Sequence, residues 1–231
     1  MDSIKKINCA LTEASIVEFI RKHCKDKAAI IGLSGGIDSA VVARLCTLAL
    51  GRENVILVSI PYETRDEYLQ SIFCKQFNQY FITHYLATAL DEDNRLVFGN
   101  YIARMRMATL YYYANKHNGL VIGTTNKSEW LTGYFTKYGD GGVDIEPIIG
   151  LYKTQVYQLA RYLGVPQEII DAKPTAGLWE GQTDEEELGM TYEELDKILE
   201  YENNHPVVSK LVNNSQHKRD PIPGHLEVFY E

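Results

Sequence analysis

The chain of 231 residues contains no apolar run long enough to cross a bilayer as a helix. Its start, Met1-Asp2-Ser3-Ile4-Lys5-Lys6, lacks the apolar stretch that a secretory signal carries after its basic residues, so a soluble cytoplasmic protein is expected. An excess of positive charge is missing too. With 23 Lys+Arg against 31 Asp+Glu and a formal charge of -8, a broad phosphate-binding face for DNA or RNA is not expected, whereas a nucleotide-sized ligand is easily accommodated. Cysteine is scarce: Cys9, Cys24, Cys46 and Cys74 form no C-x-x-C pair, which argues against a zinc ribbon or redox motif and for reduced, packed thiols. Internal repeats, low-complexity tracts and a Ser/His/Asp or Cys/His catalytic constellation are also absent. What the chain does have is 45% hydrophobic residues, enough for one core, and residues 1–231 read as a single domain. It also has 16 tyrosines. Tyr111, Tyr112 and Tyr113 are consecutive on an expected helix and must point to different faces, which suits core or subunit contacts.

The apolar pattern alternates between strand and helix. Ile16, Val17, Phe19 and Ile20 have helical spacing in residues 14–24, and Ala28 to Leu33 is a short, β-branched run suited to a strand buried on both faces. A helix from Ile37 to Leu50 is expected to end at Gly51 in the left-handed cap conformation. A strand from Val55 to Ile60 follows, stopped by Pro61. The pattern continues with a helix near Arg65 to Phe77, a strand near Tyr80 to Leu86 and a long helix from about Asn100 to Lys116. Gly119 is read as the break before a strand of Leu120-Val121-Ile122-Gly123. Gly139 to Gly142 reads as a loop, and Tyr152 to Leu163 and Thr191 to Glu202 as helices; Thr191 and Glu194 have capping-box spacing. The fold class is therefore α/β, a doubly wound and mainly parallel sheet of at least four strands flanked by helices.

Between the first strand and its helix stands Ser34-Gly35-Gly36-Ile37-Asp38-Ser39. Free amides and the positive helix end face one point there, which suits a phosphate; the paired glycines allow close approach, and Ser34 and Ser39 can add hydroxyl donors. The loop is not G-x-x-x-x-G-K-[ST] and has no lysine for a γ-phosphate, which disfavours kinase or ATPase chemistry. Asp38 would repel a phosphate unless a cation stood between them, so it is a candidate Mg²⁺ ligand.

This loop resembles that of the N-type ATP pyrophosphatases, a family including NAD synthetases, GMP synthetases, argininosuccinate synthetases and several tRNA-modifying enzymes. The resemblance implies cleavage of ATP to AMP and pyrophosphate through an adenylated substrate, on an adenine nucleotide α-hydrolase-like fold. Further blocks narrow it. Gly99 to Met107, Gly123-Thr124-Thr125-Asn126-Lys127-Ser128-Glu129, Gly133 to Asp144, Leu151-Tyr152-Lys153-Thr154 and Lys173-Pro174-Thr175-Ala176-Gly177-Leu178-Trp179 together resemble NAD synthetase from Ile30 to about Leu199.

The resemblance implies ammonia-dependent amidation of deamido-NAD (nicotinic acid adenine dinucleotide) through an NAD-adenylate, with ATP as co-substrate and Mg²⁺ as cofactor. ATP contacts carry over to Gly32, Leu33, Ser34, Gly35, Gly36, Ile37, Asp38, Ser39, Thr124, Lys153 and Thr175. The metal ligands are Asp38 and Glu129, and Lys153 joins these two as the expected chemical centre. Deamido-NAD contacts carry over to Arg104, Lys137, Asp144, His217 and Lys218. Phe135 could stack on a flat ring or pack in the core, Arg106 is read as having a structural or interface role, and Asp140 and Asp144 are candidates for taking the proton from ammonium.

Three departures from the family pattern stand out. The 61–99 segment is short, Thr125 stands where many relatives have glycine, and no glutaminase domain accompanies the synthetase blocks. Free ammonia or a separate ammonia-supplying glutaminase is therefore expected. The family also implies a homodimer, with the tyrosine-rich helix as an interface element. A tRNA-modifying or GMP-forming pyrophosphatase is the nearest rival, but the chain shows neither a basic surface nor a reactive cysteine pair; a regulatory module without catalysis would not need Asp38, Glu129 and Lys153 together.

Overall fold

A computed structural model describes residues 4–61, 67–86, 94–175, 181–202 and 204–222. The order of the sheet follows from which strands can be buried on both faces. β1 (Ala28–Gly32) lies inside, parallel to β2 (Val55–Ser59) on one side and β4 (Gly119–Val121) on the other, and β3 (Phe81–Thr83) extends β2 to give the order β3-β2-β1-β4. The register pairs Ala29 with Val55 and Ala28 with Gly119. Ile30 and Ile31 are both fully buried, one on each face, as a central parallel strand requires.

On one face Ala29, Ile31 and Leu57 pack against α1 (Cys9–Cys24), α2 (Ile37–Leu50), α3 (Tyr68–Phe77) and α6 (Lys153–Tyr162). On the other face Ile30, Val58 and Val121 meet Phe98, Ile102 and Tyr113 of α4 (Arg95–Lys116). Helices therefore cover both sides, the doubly wound α/β arrangement expected from the alternating pattern. α5 (Lys127–Thr132) follows β4, and α7 (Gln167–Ile170) closes the corner after α6. A satellite cluster of Leu188, Tyr192, Leu195, Ile198 and Val208 joins α8 (Asp184–Leu188), α9 (Tyr192–Tyr201) and α10 (Pro206–Asn214).

Several boundaries differ from expectation for local reasons. The long helix starts at Arg95, where the Asn94 side chain caps it by accepting from the Val97 amide at 3.1 Å, and Gly99 lies buried in its interior. Gly119 is not the break: Asn118, with φ 50°, makes the turn, and Gly119 belongs to β4. Ile122 falls just past β4 and keeps one bridge to Ile145. Gly51 takes the positive φ of 81° but with ψ 151°, an extended mirror-image conformation and not the left-handed helical one. The capping box of Thr191 and Glu194 forms as expected. The third helix begins at Tyr68, and Arg65 lies outside the described residues. Cys24, Cys46 and Cys74 are buried free thiols and Cys9 a half-buried one. Tyr113 is buried while Tyr112 is exposed, so the consecutive tyrosines do face different ways. Among the described residues no helix is long and apolar enough to cross a membrane.

Gly119 is tightly constrained, because a Cβ there would stand 2.8 Å from both the Ala28 carbonyl oxygen and Ile30 Cγ1. Gly119→Ala is expected to force β4 away from β1 and cost about 1–3 kcal/mol, read as a lower urea midpoint with unchanged denaturant slope.

Candidate active site

In the order β3-β2-β1-β4 the chain leaves β1 toward β2 on one side, while β4 lies on the other. The crevice beyond the carboxyl ends of β1 and β4 is the topological switch point, where open α/β sheets gather ligands. Two segments enter it: the glycine loop into α2, and residues 122–126 into α5. Gly32 ends β1, Leu33 and Ile37 are buried anchors, and Ser34 and Gly36 are exposed between them. Gly35 has φ 87°, which its lack of Cβ permits. The serine hydroxyls shape the loop. Ser39 Oγ donates to the Gly36 carbonyl at 2.9 Å, the Gly36 amide donates to Ser34 Oγ at 3.1 Å, and the two hydroxyls lie 3.1 Å apart. From α3, Gln70 Nε2 donates to the Ser34 carbonyl at 3.1 Å. No side chain caps α2, whose N-cap is Gly36, so the positive end of the helix opens on the crevice.

Charge then converges on that opening. Asp38, in the first turn of α2, receives Lys153 Nζ on Oδ2 at 2.5 Å and Asn126 Nδ2 on Oδ1 at 3.1 Å. Glu129 Oε1 lies 3.6 Å from the same Lys153 Nζ. The side chain of Lys153 is only 3% exposed, against 15% for Asp38 and 16% for Glu129, so the ammonium is covered while the carboxylates keep access to the crevice. Asn126 and Glu129 form a reciprocal capping box at the start of α5, which fixes Glu129 by its own backbone. Burial pushes the Glu129 carboxyl well above the usual range, and Asp38 adds to this; Lys153 and the Asn126 amide work the other way. For Lys153 burial opposes the charged form, but Asp38 and Glu129 outweigh it and raise the pKa, so the ammonium stays charged. Asp38 and Glu129 present hard oxygen donors around one ammonium, and a bound cation would favour the ionised form of Glu129 that burial opposes. This suits Mg²⁺, which binds through one or two carboxylates and takes its other ligands from phosphate and water. Among the described residues no larger cluster of metal-ligating side chains is assembled, in keeping with that sparse donor set.

The other sequence-derived positions divide into groups. Arg104, Lys137 and His217 are brought together: an Arg104 Nη2 donates to the Lys137 carbonyl at 3.4 Å, and Lys137 Nζ donates to the His217 carbonyl at 2.5 Å. Lys218 is turned inward, donating to the carbonyls of Gly133 at 2.6 Å and Phe135 at 2.5 Å, and burial lowers its pKa. Asp144 stands apart from this group, with Oδ2 accepting from the Val121 amide at 2.8 Å and Oδ1 from Tyr111 at 3.2 Å. Thr124 is half-buried beyond β4; Thr175 is exposed, and Ala176 to Trp179 lie outside the described residues. Phe135 is buried and stacks on Trp130 with ring centroids 5.3 Å apart, which is core packing. Arg106 donates to the Ile60 carbonyl at 3.0 Å, the structural one of the two roles expected of it. Asp140 accepts from the Thr136 amide at 2.9 Å within the glycine-rich loop.

A family model described as NAD synthase matches residues 12–222. The chain belongs to the NAD synthase family. It is 43% identical to an NH(3)-dependent NAD(+) synthetase of Pyrococcus furiosus, with 94% of each chain covered. Among solved structures it is similar to an NMN synthetase from Francisella tularensis (33% identity, TM-score 0.87, covering 96% of this chain and 100% of that one). It is also similar to an NH3-dependent NAD synthetase from Campylobacter jejuni (30% identity, TM-score 0.74, with the same coverage).

In this NAD synthase family member the structure adds residues to the crevice that sequence reasoning passed over. Asn126-x-x-Glu129 has capping-box spacing and could have been read directly. Asp184 and Tyr192 had no local signal: Tyr192 puts its ring 5.0 Å from Lys153 Nζ and donates to Asp184 Oδ2 at 3.1 Å, and both residues are buried. Asp196 is fully buried, with its carboxylate on α5 and α6. Glu146 lies against Gly123, where a Cβ would overlap its carboxylate. Its Oε2 accepts from the Thr125 amide at 3.1 Å, whereas Oε1 is buried and has no hydrogen-bond partner among the described residues.

Burial lifts the Glu146 pKa to about 8 against the pull of the Thr125 amide. Below the ordinary carboxyl pKa both folded and unfolded chains hold this proton; between that value and about 8 only the folded chain does, so stability falls as pH rises through the window. Glu146→Gln removes the dependence. Its melting temperature is expected to gain on the parent between about pH 5 and pH 8.5, by on the order of 1–3 kcal/mol in stability; parallel melting curves across that range check it.

Proposed function

We propose that this chain is an ammonia-dependent NAD synthetase, which converts deamido-NAD, ATP and ammonia to NAD, AMP and pyrophosphate. The observation that carries the reading is the Lys153 ammonium held between Asp38 and Glu129 at the open end of α2. Binding of an adenine nucleotide alone would not require that buried charge cluster. Membership in the NAD synthase family supplies the reaction class.

In the proposed sequence the nicotinate carboxylate oxygen attacks the α-phosphorus of ATP, and the bond to the bridging oxygen of pyrophosphate breaks. The α2 amides and the glycine loop receive the leaving pyrophosphate, with Gly32 to Ser39 lining its path and Thr124 and Thr175 as further ATP contacts. Lys153 neutralises the charge that develops as the leaving group departs. Ammonia then attacks the acyl carbon, the bond to AMP breaks to leave the amide, and the proton that the nitrogen gives up passes to water. Asp38 and Glu129 would hold Mg²⁺, which supplies charge neutralisation on phosphate oxygens when bound. Arg104, Lys137 and His217 are linked through the backbone carbonyls of Lys137 and His217, and the Arg104 guanidinium suits an anionic group of deamido-NAD, with Lys137, His217 and Asp144 as further contacts. The inward hydrogen bonds of Lys218 favour a role in holding residues 133–135 beside that place over direct substrate contact.

The reading extends to a cytoplasmic, single-domain homodimer fed by free ammonia or by a separate glutaminase. One face of α4, with Val97, Met105 and Tyr112 exposed, supports a subunit contact there. A second substrate reading, amidation of the nicotinate mononucleotide, is favoured by the TM-score of 0.87 to the Francisella tularensis NMN synthetase, higher than the 0.74 to the Campylobacter jejuni enzyme. Incubating the purified chain with ATP, Mg²⁺ and ammonium, and with either deamido-NAD or nicotinate mononucleotide, decides between them. NAD and AMP are the expected products, and NMN formation without NAD formation would overturn the dinucleotide assignment. In the same assay Lys153→Met and Asp38→Asn are each expected to lower kcat by about 10²–10³-fold.

A further inference from the structure

Lys153 has a long, flexible side chain, so its place between two carboxylates depends on how firmly its backbone is held. The hold comes from a helix that begins 39 residues downstream. Asp196 of α9 is fully buried, and its carboxylate reaches the first turn of α6: Oδ2 accepts from the Thr154 amide at 2.9 Å. Asp196 Oδ1 accepts from the Ser128 hydroxyl, and Ser128 Oγ in turn accepts from the Lys153 amide at 2.9 Å. One carboxylate thus satisfies the first two amides of α6, one directly and one through Ser128. It does so at the positive helix end, where an anion is favoured. Ser128 is the chain neighbour of Glu129, so the same carboxylate grips both elements that bear on the ammonium.

The rest of the α9 face serves the same two elements. Tyr192, one turn before Asp196, covers Lys153 Nζ with its ring at 5.0 Å. Glu200, one turn after, accepts from Tyr152 Oη at 3.0 Å and lies 3.6 Å from Lys127 Nζ. Spacing of four residues puts all three on one side of the helix. A buried carboxylate is costly unless its lone pairs are used, and among the described residues Asp196 accepts from groups of α5 and α6.

We propose that Asp196 is a positioning residue for the adenylation step, setting Lys153 and Glu129 at their working distances from Asp38. The inference rests on the ATP chemistry proposed above. Its test is exchange of labelled pyrophosphate into ATP, with deamido-NAD present and ammonium absent, measured per folded chain beside overall kcat and KM. Asp196→Ala is expected to slow exchange on the order of 10–100-fold, since a shift of about 1 Å in a positioned group has that effect, with KM for deamido-NAD unchanged within about twofold. Asp196→Asn keeps an acceptor for the Thr154 amide and is expected to recover exchange to within about fivefold of the parent. Ser128→Ala, which removes both the acceptor of the Lys153 amide and the donor to Asp196 Oδ1 but leaves the Thr154 link, is expected to lose about tenfold and decides the matter if Asp196→Ala does not fold. A folded Asp196→Ala or Ser128→Ala chain with exchange within twofold of the parent overturns the proposal. So does a loss confined to KM for deamido-NAD. Absence of exchange in the parent chain would instead overturn the function on which the inference rests.

Discussion

Everything at the crevice depends on one shared ammonium. Asp38, Glu129 and Lys153 come from three helices, and Lys153 is 115 residues from Asp38 along the chain, yet Nζ reaches Asp38 at 2.5 Å and Glu129 at 3.6 Å. Without that charge the two carboxylates would face each other in a half-buried setting where repulsion is poorly screened. Removing one member of such a buried group typically costs about 3–5 kcal/mol, because the remaining charges lose their partner. The cluster is therefore both a cost of folding and the source of the phosphate-handling chemistry proposed for it.

Sheet order makes the cluster geometrically feasible. Because β1 sits between β2 and β4, the helices that follow β1 and β4 start side by side, and Asn126 can cross the gap to Asp38 at 3.1 Å. Gly119 lets β4 approach β1 closely enough for this, its Cα facing the Ala28 carbonyl where no side chain fits. α6 then packs with α2 on the same face of the sheet, and Lys153 is its first residue. The C-terminal helices form a separate cluster of their own, and through α9 they fasten the beginnings of α5 and α6.

Local signals in the sequence were strong where one short segment carries both the structure and the chemistry. The loop from Ser34 to Ser39 follows an apolar strand and opens a helix, so its open helix end and the positive φ of Gly35 could be read from glycine and helix-end physics. Signals were weak where the environment comes from elsewhere. Gly99 argues against a helix interior, but the packing of α4 on the sheet overrides that preference. Gly119 looks like a helix stop, although Asn118 turns the chain and Gly119 serves a close strand contact. Phe135 could equally stack on a ligand from its sequence context, but Trp130 lies against its ring. Lys218, beside His217 in a basic triplet, reads as a ligand contact, yet its ammonium is spent on two backbone carbonyls.

The sequence by itself determined the α/β class, the glycine loop and the family resemblance, because each depends on periodicity or on residues adjacent in the chain. Tertiary structure decided which charges meet. That Asp38 and Glu129 share Lys153, that Tyr192 and Asp196 reach back to α6, and that Asp144 binds the edge of β4 instead of joining Arg104 are all contacts between distant segments. The reason is physical: an ionisable side chain has no fixed partner until folding removes water from around it, and only the packed elements determine which group takes the place of that water.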